Sequence, residues 1–326
     1  MKTMNILILG GAGFFGANLV RRCLRDRQNK VTVVDSLEPR LKSNFDGLRE
    51  VSSSIAFIKG DIRDSTLMEE VVKHQDVIFN CAGQTSHPIS LSDPLFDEEI
   101  NCAGNLKVLE AIRNSNKSAR IIYTSSSTVI GKAHGDIVTE SHSEQPLDIY
   151  SANKCVAEKY YYIYHKVYGI KTLSLRFANL YGPYGKGHAE FGFINYFIGL
   201  AANNREISIF GDGRQTRNVM YVEDAADLVY HCAFHDNLYG NVYFAVHKEH
   251  YSVLDIANEI ISVFGKGRLT KKRWPHVRKR IEIGDAIISG AKLYYETQWE
   301  PKFNLREGLA RTKKIIESGK SAGLKA

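Results

Sequence analysis

The chain has 326 residues, 44% hydrophobic and 24% charged, which excludes disorder, a collagen-like repeat and a disulfide scaffold and fits one large or two ordinary domains. Lys and Arg number 43 against 36 Asp and Glu, a formal charge of +7 that suits an anionic ligand at least as well as nucleic acid. The five cysteines (23, 81, 102, 155, 232) form no CxxC pair and no zinc-spaced cluster; they read as free thiols in a reducing compartment, so no metal and a cytoplasmic location are expected. No apolar run approaches the roughly 20 residues of a membrane span, and the first five residues lack the regions of a signal peptide.

In chain order, residues 6–9 are an apolar strand that stops at glycines, and 17–25 predict a helix. Strands follow at 31–34, 57–58 and 77–79, with a helix at 67–73 between the last two. Residues 100–113 predict one amphipathic helix, 121–123 a fifth strand, 150–168 a helix and 172–177 a further strand. Short continuous apolar runs separated by helices mark a parallel sheet covered on both faces. Right-handed crossovers make it an α/β, doubly wound (Rossmann) fold. Beyond about residue 180 the texture changes to a breaker-rich loop at 181–187, helices at 194–202, 224–234 and 253–263, and a strand at 207–210. The expected division is a Rossmann domain over 1–180, with a return segment at about 216–246, and a smaller, mostly α substrate domain over 181–326. Residues 266–280 carry eight Lys or Arg and no acid; without them the balance is 35 basic against 36 acidic.

Gly10-Gly11-Ala12-Gly13-Phe14-Phe15-Gly16 sits between the first strand and the first helix. Gly10 permits a tight turn, Gly13 lets the backbone approach a pyrophosphate, Gly16 lets the helix pack closely, and the helix N-terminus offers free N–H groups. Asp35 ends the second strand, 19 residues after Gly16. A carboxylate there accepts from ribose hydroxyls and repels a 2′-phosphate, so NAD is favoured over NADP. Asp61-Ile62 follows the third strand, where Asp61 either contacts an adenine or caps the helix that follows.

Tyr150 and Lys154 have i, i+4 spacing on a predicted helix and project from one face. A nearby ammonium and a cationic nicotinamide ring favour the phenolate, which makes tyrosine a usable base. The fifth strand runs into Thr124-Ser125-Ser126-Ser127 at the carboxyl edge of the sheet, where such folds bind ligands. Alone, the Tyr150/Lys154 pair fits a surface helix better than a catalytic site; with the glycine loop and the serine strand the balance reverses toward chemistry.

Gly10-x-x-Gly13-x-x-Gly16, Ser126 and Tyr150-x-x-x-Lys154 resemble the extended short-chain dehydrogenase/reductase family. Cys81-Ala82-Gly83-Gln84, Arg176-Phe177-x-Asn179-x-x-Gly182-Pro183 and Gly211-Asp212-Gly213-x-Gln215-x-Arg217 add to the likeness. Within that family the chain is similar, over residues 4–316, to NAD-dependent nucleotide-sugar epimerases and dehydratases of the UDP-glucose 4-epimerase kind. The resemblance implies Ser126, Tyr150 and Lys154 as catalytic residues. It implies an NAD site made of Gly10, Gly13, Phe14, Phe15, Gly16, Asp35, Ser36, Asp61, Ile62, Cys81, Ala82, Gly83, Gln84, Tyr150, Lys154 and Phe177. It implies a nucleotide-sugar site made of Gln84, Ser126, Tyr150, Asn179, Phe193, Ile209, Phe210, Arg217 and Arg280, and a homodimer joined by helices. Arg217 would pair with a phosphate; read without the resemblance it is a surface charge.

The dehydratases and decarboxylases of this resemblance carry an acid after the catalytic Ser/Thr, where this chain has Ser127. The expected reaction is therefore epimerisation, most simply of a UDP-hexose at C4. Alternatives are a CDP-sugar 2-epimerase of the tyvelose type, a sugar-nucleotide ketoreductase and, remotely, a non-catalytic RNA-binding or redox-sensing relative that would use the basic stretch. The pattern departs from the resemblance at Ile130 (usually Tyr), at Asn218 (usually Asp) and at residues 244–247. His87, on a loop at the sheet edge, either touches the sugar or is a solvated loop histidine.

Overall fold

The structure, a computed structural model, describes residues 3–132, 137–275, 279, 282–319 and 324. Seven strands form the central sheet: β1 (Asn5–Leu9), β2 (Lys30–Asp35), β3 (Ile55–Lys59), β4 (Val77–Asn80), β5 (Arg120–Ser126), β6 (Lys171–Phe177) and, from further along the chain, Val242–Ala245. Strands β7 (Asn179–Tyr181), β8 (Glu206–Phe210) and β9 (Thr216–Tyr221) intervene, which makes the returning strand β10. The order is β10-β6-β5-β4-β1-β2-β3, with every pairing parallel. The chain winds outward in both directions from the β1/β4 neighbours, so a crevice opens there at the carboxyl ends of the strands.

Alternation along β1 shows why the expected apolar runs are continuous. Ile6 and Ile8 join one buried cluster while Leu7 and Leu9 join the cluster on the opposite face. The first face is covered by α1 (Phe14–Leu24) and a later helix over Val222–Cys232; the second by α2 (Ser65–Val71), a helix over Asn105–Ser115 and one over Ile149–Tyr168. Between α2 and Asn105–Ser115 lie α3 (His87–Ser92) and α4 (Pro94–Glu98), so these three become α5, α6 and, after α7 (Phe193–Ala202), α8. A third core joins Tyr181, α7, Ile207, Ile209, Tyr221, α9 (Val253–Phe264) and the last helix, Leu305–Glu317. No helix among the described residues is long and apolar enough to cross a membrane, and all five cysteines are free.

Three local outcomes differ from the sequence reading. The helix expected over 100–113 is broken into α4, a π-helical turn over Glu99–Gly104, and α5; Asn105 Nδ2 donates to the Asn101 carbonyl at 2.8 Å and competes for a backbone acceptor inside that turn. The basic segment begins as a strand, Arg268–Lys272, paired in parallel with β8. Asn218 and His247, where the family pattern is broken, are partners: Asn218 Nδ2 donates to the His247 carbonyl at 2.6 Å and Asn218 Oδ1 accepts from the His247 amide at 3.1 Å. Only an amide can do both, so a carboxylate there would lose the donated bond.

Candidate active site

The glycine loop takes the form that a phosphate cradle needs. Gly10 has φ +76°, and a Cβ on it would stand 2.6 Å from the backbone of Ala82 on the neighbouring strand's extension. A Cβ on Gly16 would overlap the Gly10 carbonyl and stand 2.6 Å from Gly11 Cα. Gly13 caps α1 without a side chain, and Phe14 and Phe15 open the helix with no acidic residue in its first turn. Its N–H groups and dipole are therefore open to an anion. We expect Gly16→Ala to distort the loop and purify with little NAD, measured as nucleotide released per chain; full NAD content would contradict the close packing read here.

The crevice beside this loop is lined by Gly10, Gly13, Asp35, Ser36, Glu38, Leu41, Ser43, Asp61, Ile62, Cys81, Ala82, Gly83 and Lys186, among others. Asp35 accepts from Ala12 N at 2.9 Å, Leu37 N at 2.9 Å and Ser43 Oγ at 3.0 Å, which orients the carboxylate and leaves it further lone pairs. The cap of α2 is Asp64, which accepts from Leu67 N at 3.0 Å. Asp61 instead faces the crevice and is bound by the Arg63 guanidinium at 2.8 Å. Phe177 is buried with its ring 5.3 Å from that of Phe15.

Gln84 does not reach the crevice with its side chain. It is fully buried, donating to the Ser86 carbonyl at 2.8 Å and to the carboxylate of Asp97 at 2.6 Å. Asp97 also accepts from Asn101 at 3.1 Å and from Asn153, on α6, at 2.8 Å. A fully buried carboxylate held only by neutral amides thus stands behind the reactive end of α6.

That end carries the expected constellation. Asp148 caps α6, accepting from Ser151 N at 2.8 Å, and so fixes the turn on which Tyr150 and Lys154 sit. Lys154 Nζ donates to the Thr124 carbonyl at 3.0 Å and lies 5.9 Å from the Tyr150 ring centroid. It is also 3.2 Å from where a Cβ on crevice-lining Gly83 would be. Ser126 Oγ bonds Thr128 Oγ1 at 2.8 Å, and Ser151 Oγ donates to the same Thr128 oxygen at 2.8 Å.

The electrostatics depart from the sequence expectation. Burial pushes the Tyr150 phenol up; a hydrogen bond with Ser126 opposes this, while Asp148 and Asp97 add to it. Burial brings Lys154 down to about 8, against the pull of Asp97. In this structure burial outweighs the groups that favour the phenolate, and the Lys154 ammonium is hydrogen-bonded to the Thr124 carbonyl rather than to the phenol.

His87 is not a solvated loop residue. It opens α3, its Nδ1 bonds Asp148, and its ring packs edge-on against Tyr150 at 4.8 Å. Of the expected substrate residues, Asn179 Nδ2 donates to the Asn218 carbonyl at 2.9 Å. Phe193 opens α7 after Gly192, which has φ +106°. Ile209 is buried in the third core, and the Phe210 ring lies tilted against that of Trp274, centroids 5.4 Å apart. Arg217 is buried rather than a surface charge; it donates to the carbonyls of Thr216 at 2.8 Å and Gly284 at 2.6 Å and pairs with Glu282. Arg280 lies outside the described residues. Sequence reasoning missed Asp97, Asp148 and Lys186, whose significance depends on distant partners.

This lining fits a dinucleotide: an uncapped helix N-terminus behind a glycine turn and an acid at the end of β2, with Lys154 standing behind crevice-lining Gly83. Residues 6–244 match the sequence pattern of the NAD dependent epimerase/dehydratase family. The UDP-glucose 4-epimerase of Mycolicibacterium smegmatis is 32% identical over 226 residues, 69% of this chain and 71% of that protein. The CDP-paratose 2-epimerase of Salmonella typhi is 30% identical over 252 residues, 70% of this chain and 74% of that protein. The structure of Thermotoga maritima UDP-glucose 4-epimerase with UDP-glucose superposes with a TM-score of 0.88 at 26% identity, covering 97% of this chain and 99% of that one. The chain belongs to the NAD-dependent epimerase/dehydratase enzymes of the extended short-chain dehydrogenase/reductase family, and NAD is its cofactor.

Proposed function

We propose that the protein epimerises a nucleotide-activated hexose, a UDP-hexose at C4, by transient oxidation to the keto sugar. The observation that carries this reading is the convergence of Ser126, Tyr150 and Lys154, with Tyr150 against Ser126 and Lys154 beside crevice-lining Gly83. When bound, NAD supplies a hydride acceptor that returns the hydride, so no net redox change accompanies turnover. Tyr150 takes the proton of the sugar hydroxyl, and Ser126 holds the reacting oxygen. Lys154 fixes the nicotinamide ribose, and His87, held by Asp148, walls the sugar side of Tyr150. The diphosphate falls to Asn179 and the α7 N-terminus; Arg217 serves it by exchanging Glu282 for a phosphate. Ser127, in place of an acid, supplies no group for water elimination.

The test is a panel of nucleotide sugars followed by mass spectrometry and NMR of the products. Interconversion of UDP-galactose and UDP-glucose without added reductant is expected. A CDP-hexose turned over at C2 would move the assignment to the alternative suggested by the CDP-paratose relative, and stoichiometric NADH consumption would make the protein a ketoreductase.

The exposed face of α6 supports a homodimer. Ile149, Val156, Ile163 and Val167 are exposed apolar residues spaced seven, seven and four apart on one helix, the stripe of a helix that packs on a partner. Ile163→Glu should sediment as a monomer where the parent sediments as a dimer; an unchanged sedimentation coefficient would place any interface elsewhere.

A further inference from the structure

Lys186 sits in the loop between β7 and α7, yet it lines the cofactor crevice together with Gly10, Gly13 and Asp35. It is the only cation among the described residues lining that crevice, which otherwise presents the carboxylates of Asp35, Glu38 and Asp61. Its Nζ donates to the Leu41 carbonyl and lies 4.5 Å from the Phe191 ring centroid, and it forms no ion pair among the described residues. Burial brings it down to about 8, with Asp35 pulling it up and Lys42 pushing it down. A partly buried ammonium whose direct acceptor is a neutral carbonyl, with the Asp35 carboxylate acting only at a distance, is costly to maintain. The glycine loop beside it offers N–H groups to a phosphate but no formal positive charge.

The loop that carries Lys186 is itself pinned. Gly182 N donates to Asn195 Oδ1, on α7, at 3.0 Å. Gly185 lies so close to the same side chain that a Cβ on it would stand 2.5 Å from the amide carbon. The lysine is thus held over the crevice from the substrate side of the molecule, reaching across to residue 41 between β2 and β3.

We propose that Lys186 is a cofactor latch: its ammonium pairs with the pyrophosphate of the bound dinucleotide and ties the 182–188 loop across the crevice, slowing NAD release. This deepens the epimerase reading, in which NAD must stay bound through both hydride transfers, and it rests on that reading only for its purpose. The test therefore uses no sugar.

The experiment measures NAD retained through purification and the rate at which bound NAD exchanges with labelled NAD. It compares the parent with Lys186→Met and Lys186→Arg, and with Lys73→Met as a control on a surface lysine paired to Glu70. Loss of a charge-assisted contact should speed exchange in Lys186→Met by about tenfold to a hundredfold. Arginine should restore most of the retention, and Lys73→Met should match the parent. Parent-like exchange in Lys186→Met would overturn the proposal. So would a variant in which only NADP affinity falls, since the ammonium would then serve a 2′-phosphate. If the Met variant fails a thermal-unfolding check, Lys186→Gln read by the same exchange decides between these outcomes. A protein that turns over no sugar yet shows the Lys186 effect would sink the epimerase reading and leave the latch standing.

Discussion

Tyr150→Phe should purify folded and carrying NAD, and its epimerase turnover should fall by about two to four orders of magnitude, the range contributed by a positioned acid–base group. The substitution removes one oxygen from a buried ring whose packing against His87 survives, so stability and cofactor content are controls that should not move. The size of the loss follows from the electrostatics of the site. Burial pushes the phenol up, and the partners that oppose burial are few: Ser126 lowers it, while Asp148 and Asp97 raise it further. Lys154, brought down to about 8 by burial, is bonded to the Thr124 carbonyl rather than to the phenol. Positive charge brought by the bound cofactor would favour the phenolate. Without NAD, the phenolate absorbance of the parent and of Tyr150→Phe should coincide up to about pH 10, the ordinary value for tyrosine, because the buried Tyr150 stays protonated there. Because the active form is the deprotonated phenol, turnover of the loaded enzyme should rise with pH through its acid limb, and that limb should vanish in the Phe variant. Substantial residual turnover in Tyr150→Phe would move the proton transfer to another group, with His87 next to be tested.

The expectations that held were those in which a local pattern has a single structural meaning. Gly10 and Gly16 sit at fixed spacing after an apolar strand, Gly10 at a positive φ and Gly16 where a Cβ would overlap the Gly10 carbonyl. The six early strands were legible because short apolar runs in them are buried between helices on both faces. What escaped depends on partners far along the chain. Asp148 reads as an ordinary helix cap until His87, 61 residues earlier, is brought against it. Lys186 reads as a loop lysine until Leu41, 145 residues away, accepts from it. Short strands such as β7 and β9 are defined by pairing with each other more than by composition. One element was legible and overlooked: Asn304 and Glu307 form a capping box ahead of the last helix, the signature of a helix start.

The second large effect lies behind the site. Glu158 follows Lys154 by one turn on α6, its side chain is wholly buried, and it receives Arg176 Nε at 2.9 Å and Nη2 at 2.7 Å, with Ser125 Oγ at 2.5 Å. Arg176 is only 2% exposed and reaches a second carboxylate, Glu144, at 2.7 Å. This pair bolts α6 to β5 and β6 at the place where those elements present Lys154 and Ser126. Removing one member leaves the other charged and dry, so Glu158→Leu should destabilise the protein by about 3–5 kcal/mol. Adding Arg176→Met should recover most of that loss, since a buried pair replaced on both sides by apolar groups of similar volume is often neutral or better. Urea unfolding of the two singles and the double measures this directly, and a double variant no more stable than Glu158→Leu would mean that the network contributes through Glu144 and Ser125 rather than through the pair. The stability recovered in the double should not bring back full turnover. Ser125 loses its acceptor and α6 its anchor, so the angle at which Tyr150 meets a sugar relaxes even where the fold does not. A double variant with parent-like stability and parent-like turnover would show that the reactive end of α6 is positioned from its cap at Asp148 alone.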